Sequence, residues 1–323
     1  MDWFRTKISS WYSVKFRGRL GPSKEDDKSI RILNRIAEWR EYSINYEADQ
    51  RHAELIIKHL GLGSSSAKSV TSPGQKRTKE EDDNEEELAS GEATKYRALT
   101  ARAMFLAQDR TDIGFAVKEL SRRMSKPRQI DMKELKRLGW YLIGRERVIL
   151  EFKRQGRNSI IDVWTDTDYA GCPETRKSTS GGSVLLGLHM INGWSTTQAV
   201  IALSSGEAEY YGMVRGSSIG IGMRGLMKDL GCQMRIRAST DSSAAMGISK
   251  RRGLGKVRHI ELNQLWLQEK VNNKEIEIRK VKGEDNIADA LTKHLDQRSI
   301  SKHMQATGQA IRDGRHELAP AAE

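Results

Sequence analysis

Two cysteines, Cys172 and Cys232, are all that a chain of 323 residues contains. That number excludes a disulfide framework, and the isolation of each one excludes the usual zinc spacings, so a reducing, intracellular setting in cytoplasm or nucleus is expected. Long apolar runs are missing as well. None approaches the ~20 residues needed to span a bilayer, so a soluble chain without a membrane partner is expected. The first twenty residues are basic and contain serine, as transit peptides do, but they lack the apolar centre of a secretory signal. No internal repeat occurs. What the chain has in excess is positive charge, a formal net +12, which points to a polyanionic partner such as nucleic acid, where bound Lys and Arg release counterions from phosphates.

Composition shifts abruptly over residues 63–93, where Ser, Gly and a dense acidic run replace any hydrophobic period. Such a stretch buries too little apolar surface to offset its ordering entropy and is expected to be a disordered linker. Before it, "IRILNRIAEWREYSINYE" predicts two short strands, and "EADQRHAELIIKHLGLG" a helix with Asp49 as N-cap and Gly61 just past its end. After it come three helical periods: Tyr96, Leu99, Ala103 and Leu106; Ile113, Ala116, Val117, Leu120 and Met124; Met132, Leu135, Leu138 and Leu142.

From about residue 148 the pattern turns to strands, "VILEFKR", "IIDVWTD", "GGSVLLGLHM" and "NGWSTTQ", which should pair antiparallel. A long helix over "SSGEAEYYGMVRGSSIGIGMRGLMKDLG" then leads to the strand "MRIRAST", a short helix, the helix "IELNQLWLQEKV", the strand "KEIEIRKVK" and the helix "NIADALTKHL". Hairpin strands followed by strand and helix alternation predict a mixed α/β sheet covered by helices.

Acidic residues stand at the ends of these elements. Asp166 ends a strand, Glu209 lies in the first turns of the long helix, Asp241 follows "MRIRAST", and Asp289 sits among Ile287, Ala290 and Leu291. Each alone has an ordinary explanation: a turn for Asp166, a helix cap for Asp241, a solvated position for Asp289. Strand ends of one α/β sheet converge at its carboxyl edge, however, and carboxylates gathered there require cations, such as the two divalent ions used in phosphodiester hydrolysis. Asp168, two residues beyond Asp166, shares its face of the strand, and period two cannot choose between them. In "SSGEAEYYG" Ser204 and Glu207 have the spacing of a capping box, which gives Glu207 a structural task, whereas Glu209 points elsewhere around the helix.

The blocks "WTDTDYAGCPETRKSTSGGSVLLG", "WSTTQAVIALSSGEAEYYG", "STDSSAA", "KVRHIEL" and "EDNIADALTK", in this order, resemble the RNase H domain of copia-type LTR retrotransposon polyproteins over about residues 145–300. Upstream segments are similar to the end of the reverse transcriptase. The resemblance implies an RNase H-like mixed five-stranded sheet flanked by helices, preceded by a small α+β and helical remnant. It also implies these divisions: a palm remnant over 1–62, the acidic linker over 63–93, a helical thumb- or connection-like segment over 94–146, the RNase H-like domain over 147–300 and a tail over 301–323. The implied activity is metal-dependent cleavage of the RNA strand of an RNA–DNA hybrid. Asp166, Glu209, Asp241 and Asp289 would be its catalytic and metal-binding acids, holding two Mg²⁺ or Mn²⁺ ions, and other parts of the polyprotein would be partners.

Two features are missing, one that a reverse transcriptase needs and one that cellular RNases H carry. No Tyr-x-Asp-Asp occurs in the sequence, so the chain is expected not to polymerise DNA and to begin downstream of the polymerase site, as a fragmentary gene would. The loop "KGEDN" before Asp289 carries no histidine, and His294 follows too late to replace one. The basic stretch 249–259, with Lys250, Arg251, Arg252, Lys256 and Arg258, is the candidate grip on a nucleic-acid backbone, while His259 is expected to fix the following helix. Five glycines, Gly212, Gly216, Gly220, Gly222 and Gly225, burden the long helix. Two functions from different classes follow: an active endoribonuclease, or a non-catalytic retroelement relic or adopted protein that binds nucleic acid.

Overall fold

Alternating side chains over residues 29–47 build a meander of β1 (Ser29–Ile32), β2 (Arg35–Trp39) and β3 (Ser43–Glu47) in a computed structural model that describes residues 2–63, 68–82, 86–255, 259–260 and 262–322. Three strands form where two were expected. Leu33 and Asn34, both at positive φ (50° and 65°), close a two-residue turn between β1 and β2, a turn that usually announces itself by glycine.

An exposed helix, α1 (Asp2–Trp11), precedes the meander, and α2 (Arg51–His59) follows it. Gly61 stands at φ +73° past the end of α2 as expected. Asp49 is not the N-cap: Gln50 holds that position, and Asp49 accepts the Arg51 amide from one residue further out. Beyond a short turn of helix, α3 (Lys79–Asp82), the expected helical layer forms as α4 (Ser90–Ala107), α5 (Gly114–Ser121) and α6 (Gln129–Leu142). Tyr96, Leu99, Ala103, Leu106, Ile113, Val117, Leu120, Leu135, Leu138 and Leu142 share one core with α2. The described part of the stretch expected to be a disordered linker is docked on this layer. Val70 packs against the core, and the Arg77 guanidinium meets Glu134 at 2.6 Å and buried Asp131 at 2.5 Å.

The strand "VILEFKR" leaves the sheet to which it was assigned. As β4 (Val148–Lys153) it pairs antiparallel with β3, because β3 offers an open edge and Val148 finds Ile300 and Met304 to pack against. Those two residues lie on α10 (Gln297–Ala306), which leads to β10 (Gln309–Ile311) on the other side of β4. The segment expected as a tail therefore completes the first sheet, β1-β2-β3-β4-β10.

The second sheet is the mixed five-stranded one that the resemblance implies. β5 (Ile160–Asp168), β6 (Thr179–Leu186) and β7 (His189–Thr197) pair antiparallel; β8 (Arg235–Thr240) and β9 (Ile276–Lys280) add on parallel, giving the order β7-β6-β5-β8-β9. Between β7 and β8 runs α7 (Ser205–Asp229); between β8 and β9 lie α8 (Ser243–Lys250) and α9 (Trp266–Asn272). Trp194 and Trp266 belong to this core, and Trp164 packs on the other face of the sheet.

Three of the five helix glycines form a contact stripe that brings α7 onto β5. A Cβ at Gly212 would stand 2.5 Å from Thr167 Oγ1, one at Gly216 2.5 Å from Thr165 Cγ2, and one at Gly220 2.9 Å from Val163 Cγ2. Gly222 and Gly225 face open space. The last element departs from expectation: Ile287–Leu291 is a 3₁₀ turn rather than the start of a helix. It lies so close to β6 that a Cβ at Gly181 would come within 2.8 Å of the Leu291 backbone.

The two glycine groups should separate in denaturant titrations. Gly216→Ala is expected to cost about 1–3 kcal/mol by overpacking, whereas Gly222→Ala and Gly225→Ala should each stabilise by about 0.5–1 kcal/mol. Equal effects at all three positions would contradict this packing.

Candidate metal centre

Parallel pairing of β5 with β8 puts the carboxyl ends of both strands at one edge of the sheet. Asp166 near the end of β5, Asp241 one residue past β8 and Asp289 in the 3₁₀ turn meet there, each offering an oxygen within 4.8 Å of the others. Asp241 is free of the capping task it could have had. Ser242 is the N-cap of α8, its hydroxyl accepting the Ala245 amide at 3.1 Å. Asp166 is buried, and its Oδ2 accepts a hydrogen bond from Thr292.

Glu209 lies outside that 4.8 Å group yet feels it. Its Oε2 is buried without a hydrogen-bond partner among the described residues, and burial, then the charges of Asp166 and Asp241, push its carboxyl up to about 9. Burial, then the Asp289 charge, pushes Asp166 up to about 7, against the opposing Thr292 hydrogen bond. Like charges held together in a desolvated place resist ionisation, so the cluster is short of positive charge. Its donors are all carboxylate oxygens, the set preferred by hard cations such as Mg²⁺ and Mn²⁺. A divalent ion fits these residues.

Glu207, 1% exposed, does the structural work expected of it. Its amide donates to Ser204 Oγ at 3.2 Å and its Oε2 accepts the Leu203 amide at 3.0 Å, so the box closes one residue earlier than the simple pattern. Tyr211 donates to Oε1 at 2.8 Å, and His259 Nε2 lies 2.6 Å from Oε2. His259 therefore ties the start of α7 to the connection ahead of α9.

Asp168 goes a different way from Asp166. It lines a neighbouring cavity of about 300 Å³ with Arg77, Glu119, Lys293 and His294. His294 stacks edge-on to Phe115 at 4.8 Å, and burial pushes it down to about 4, so it stays a neutral packing group. In the basic stretch Lys250 and Arg252 are exposed, but the Arg251 guanidinium is given to the Leu254 carbonyl at 2.5 Å. Lys256 and Arg258 lie outside the described residues.

Sequence patterns missed Thr292, Lys293 and Asn286. Lys293 Nζ lies 2.9 Å from Asp289 Oδ2. The Asn286 side chain donates to the Thr165 carbonyl at 3.0 Å and accepts the Ala288 amide at 3.2 Å, pinning the turn to β5. Only the adjacency of Thr292 and Lys293 to Asp289 in "ADALTK" hinted at them.

No family model matches the chain. It is 28% identical over 218 residues to the retrovirus-related Pol polyprotein from transposon RE1 of Arabidopsis thaliana, covering 67% of this chain and 15% of that relative. It is 30% identical over 186 residues to the corresponding polyprotein from transposon TNT 1-94 of Nicotiana tabacum, covering 57% and 14%. The chain thus spans about one seventh of the length of these relatives. Among solved structures, RNase H1 LC11, isolated from compost, aligns at 18% identity over 45% of this chain and 99% of its own, with a TM-score of 0.30. That score adds nothing to the topology already described.

The raised carboxyls make stability fall with pH. Between the unfolded values near 4 and the folded values of about 7 and about 9 the native state holds more protons than the unfolded one, so the penalty grows through that window and is complete above it. In chelator-treated protein Glu209→Gln should therefore be more stable than the parent at pH 8 by about 2 kcal/mol, and equal to it near pH 4. Thermal melts across pH check this, and a gap that does not change with pH would contradict it.

Proposed function

We propose that the second sheet carries a metal-dependent endoribonuclease that cleaves the RNA strand of RNA–DNA hybrids, a reading supported by homology to the retrovirus-related Pol polyproteins of copia-type transposons. The observation that carries this reading is the convergence of Asp166, Asp241 and Asp289 within 4.8 Å, beside Glu209, whose Oε2 is buried without a hydrogen-bond partner among the described residues. These four residues would hold Mg²⁺ or Mn²⁺. When bound, two such ions supply an activated water and stabilise the leaving oxygen of the phosphodiester.

The protein's own groups prepare that site. Thr292 fixes Oδ2 of Asp166 by a hydrogen bond from its hydroxyl. Ser204, Tyr211 and His259 fix Glu207, and through it the first turn of α7, two residues before Glu209. Asn286 holds the turn that presents Asp289. The net charge of +12 draws a polyanionic substrate, with the exposed Lys250 and Arg252 as its first contacts. Other parts of a longer polyprotein are the second class of partner, and an intracellular site of action fits the two free thiols.

Purified chain incubated with labelled hybrid and Mg²⁺ or Mn²⁺ should release RNA products, with none from duplex DNA. Asp166→Asn and Glu209→Gln should fall below about one-hundredth of the parent rate, a barrier increase of at least about 2.7 kcal/mol. Glu207→Gln should keep cleaving while losing about 1–3 kcal/mol of stability, since its buried carboxylate holds hydrogen bonds to the Leu203 amide, Tyr211 and His259. A dead Glu207→Gln with an active Glu209→Gln, or no cleavage by folded parent protein, would overturn the assignment.

A further inference from the structure

Lys293 stands where two acidic environments meet. Its Nζ is 2.9 Å from Asp289 Oδ2, while the residue also lines the cavity that holds Asp168. The side chain is 49% exposed, so it is not locked in place. Among the described residues no cation lies within 4.0 Å of the Asp168 carboxylate, and the nearby Lys118 is committed to Glu119 and to Thr179 Oγ1. Lys293 and Asp168 line the same cavity, and the Lys293 charge already acts on the Asp168 carboxylate, so a change of lysine rotamer is the only movement the exchange asks for.

A divalent ion entering the cluster needs an oxygen of Asp289, whose Oδ2 the ammonium holds, and a single positive charge beside a double one is repelled. An ammonium released into a half-buried place without a partner carries a desolvation penalty. Asp168 removes that penalty. We propose that Lys293 is a tethered counter-ion of the carboxylate cluster, resting on Asp289 when no divalent ion is bound and passing to Asp168 when one enters, so that it sets the ion concentration at which the site fills. This rests on the cluster being the metal centre of the proposed ribonuclease, and it gives the second aspartate of "DTD" a task distinct from the first.

The test is calorimetric titration of the full chain with Mn²⁺, without nucleic acid, for the parent, Lys293→Gln, Asp168→Asn and the double variant. Lys293→Gln should bind Mn²⁺ about tenfold more tightly, and Lys293→Met, with the same loss of charge, should match it. Asp168→Asn should weaken binding at least about threefold more when made in the parent than when made together with Lys293→Gln, because only in the parent does it remove a landing place. Unchanged or weaker binding by Lys293→Gln, or an Asp168→Asn effect of equal size in both backgrounds, would overturn the inference. A Glu209→Gln control keeps the two ideas apart. If it weakens Mn²⁺ binding while Lys293→Gln changes nothing, the metal centre stands and the counter-ion does not; if no chain binds Mn²⁺, both fall.

Discussion

Mutual repulsion among carboxylates at the carboxyl edge of β5 and β8 is the constraint on which the rest of the second sheet depends. Asp166 and Glu209 are both pushed far above the usual carboxylate range by burial and by each other's neighbours, so the fold stores unfavourable electrostatic energy at one place. A sheet selected only for stability would carry apolar or amide groups there. The protein carries the acids instead, with the Lys293 ammonium offsetting part of their charge and the Thr292 hydroxyl donating a hydrogen bond to Asp166.

Holding the acids together requires backbone to approach backbone more closely than side chains ordinarily allow. Gly212, Gly216 and Gly220 let α7 settle on β5, and Gly181 lets the turn carrying Asp289 settle on β6. These glycines weaken their own elements and strengthen the contacts between them. Gly212, Gly216 and Gly220 therefore have a packing role of their own, which answers the reading of these glycines as decay. Gly222 and Gly225, with nothing near them, have no such account.

What could be read in the sequence was whatever rests on local pattern. Helix periods placed Tyr96, Leu99, Leu135 and Leu138 in the core, and strand ends placed Asp166 and Asp241 at one edge. The Ser204–Glu207 spacing assigned Glu207 to the helix start. Long-range pairing was not legible. "VILEFKR" alternates like any strand, and nothing in it says that β3 rather than β5 is its neighbour. The acidic run around residue 80 argued for disorder, yet Arg77 finds Asp131 and Glu134 more than fifty residues away. The His259 partner of Glu207 and the Thr292 partner of Asp166 were hidden for the same reason.

The position of Asp289 shows how far the site reaches into the chain. The 3₁₀ turn that bears it is held on one side by Asn286, bonded to the β5 carbonyl of Thr165. On the other side stands His303 of α10, fully buried, with Nδ1 2.9 Å from the Ile287 carbonyl and Nε2 2.8 Å from Thr111 Oγ1. A carbonyl can only accept, so Nδ1 carries the proton and Nε2 accepts from the Thr111 hydroxyl. Burial holds this imidazole below its ordinary pKa, consistent with the neutral form that such a chain needs. Gln309 Nε2, from the strand that completes the first sheet, then donates to Thr111 Oγ1 at 2.8 Å. One carboxylate of the cluster is thus positioned by the second sheet, by the 3₁₀ turn ahead of α5 that carries Thr111 and by the C-terminal segment together. The turn ahead of α5 and the strand β10 are part of what holds this carboxylate in place, and the divisions implied by the resemblance cut through that construction.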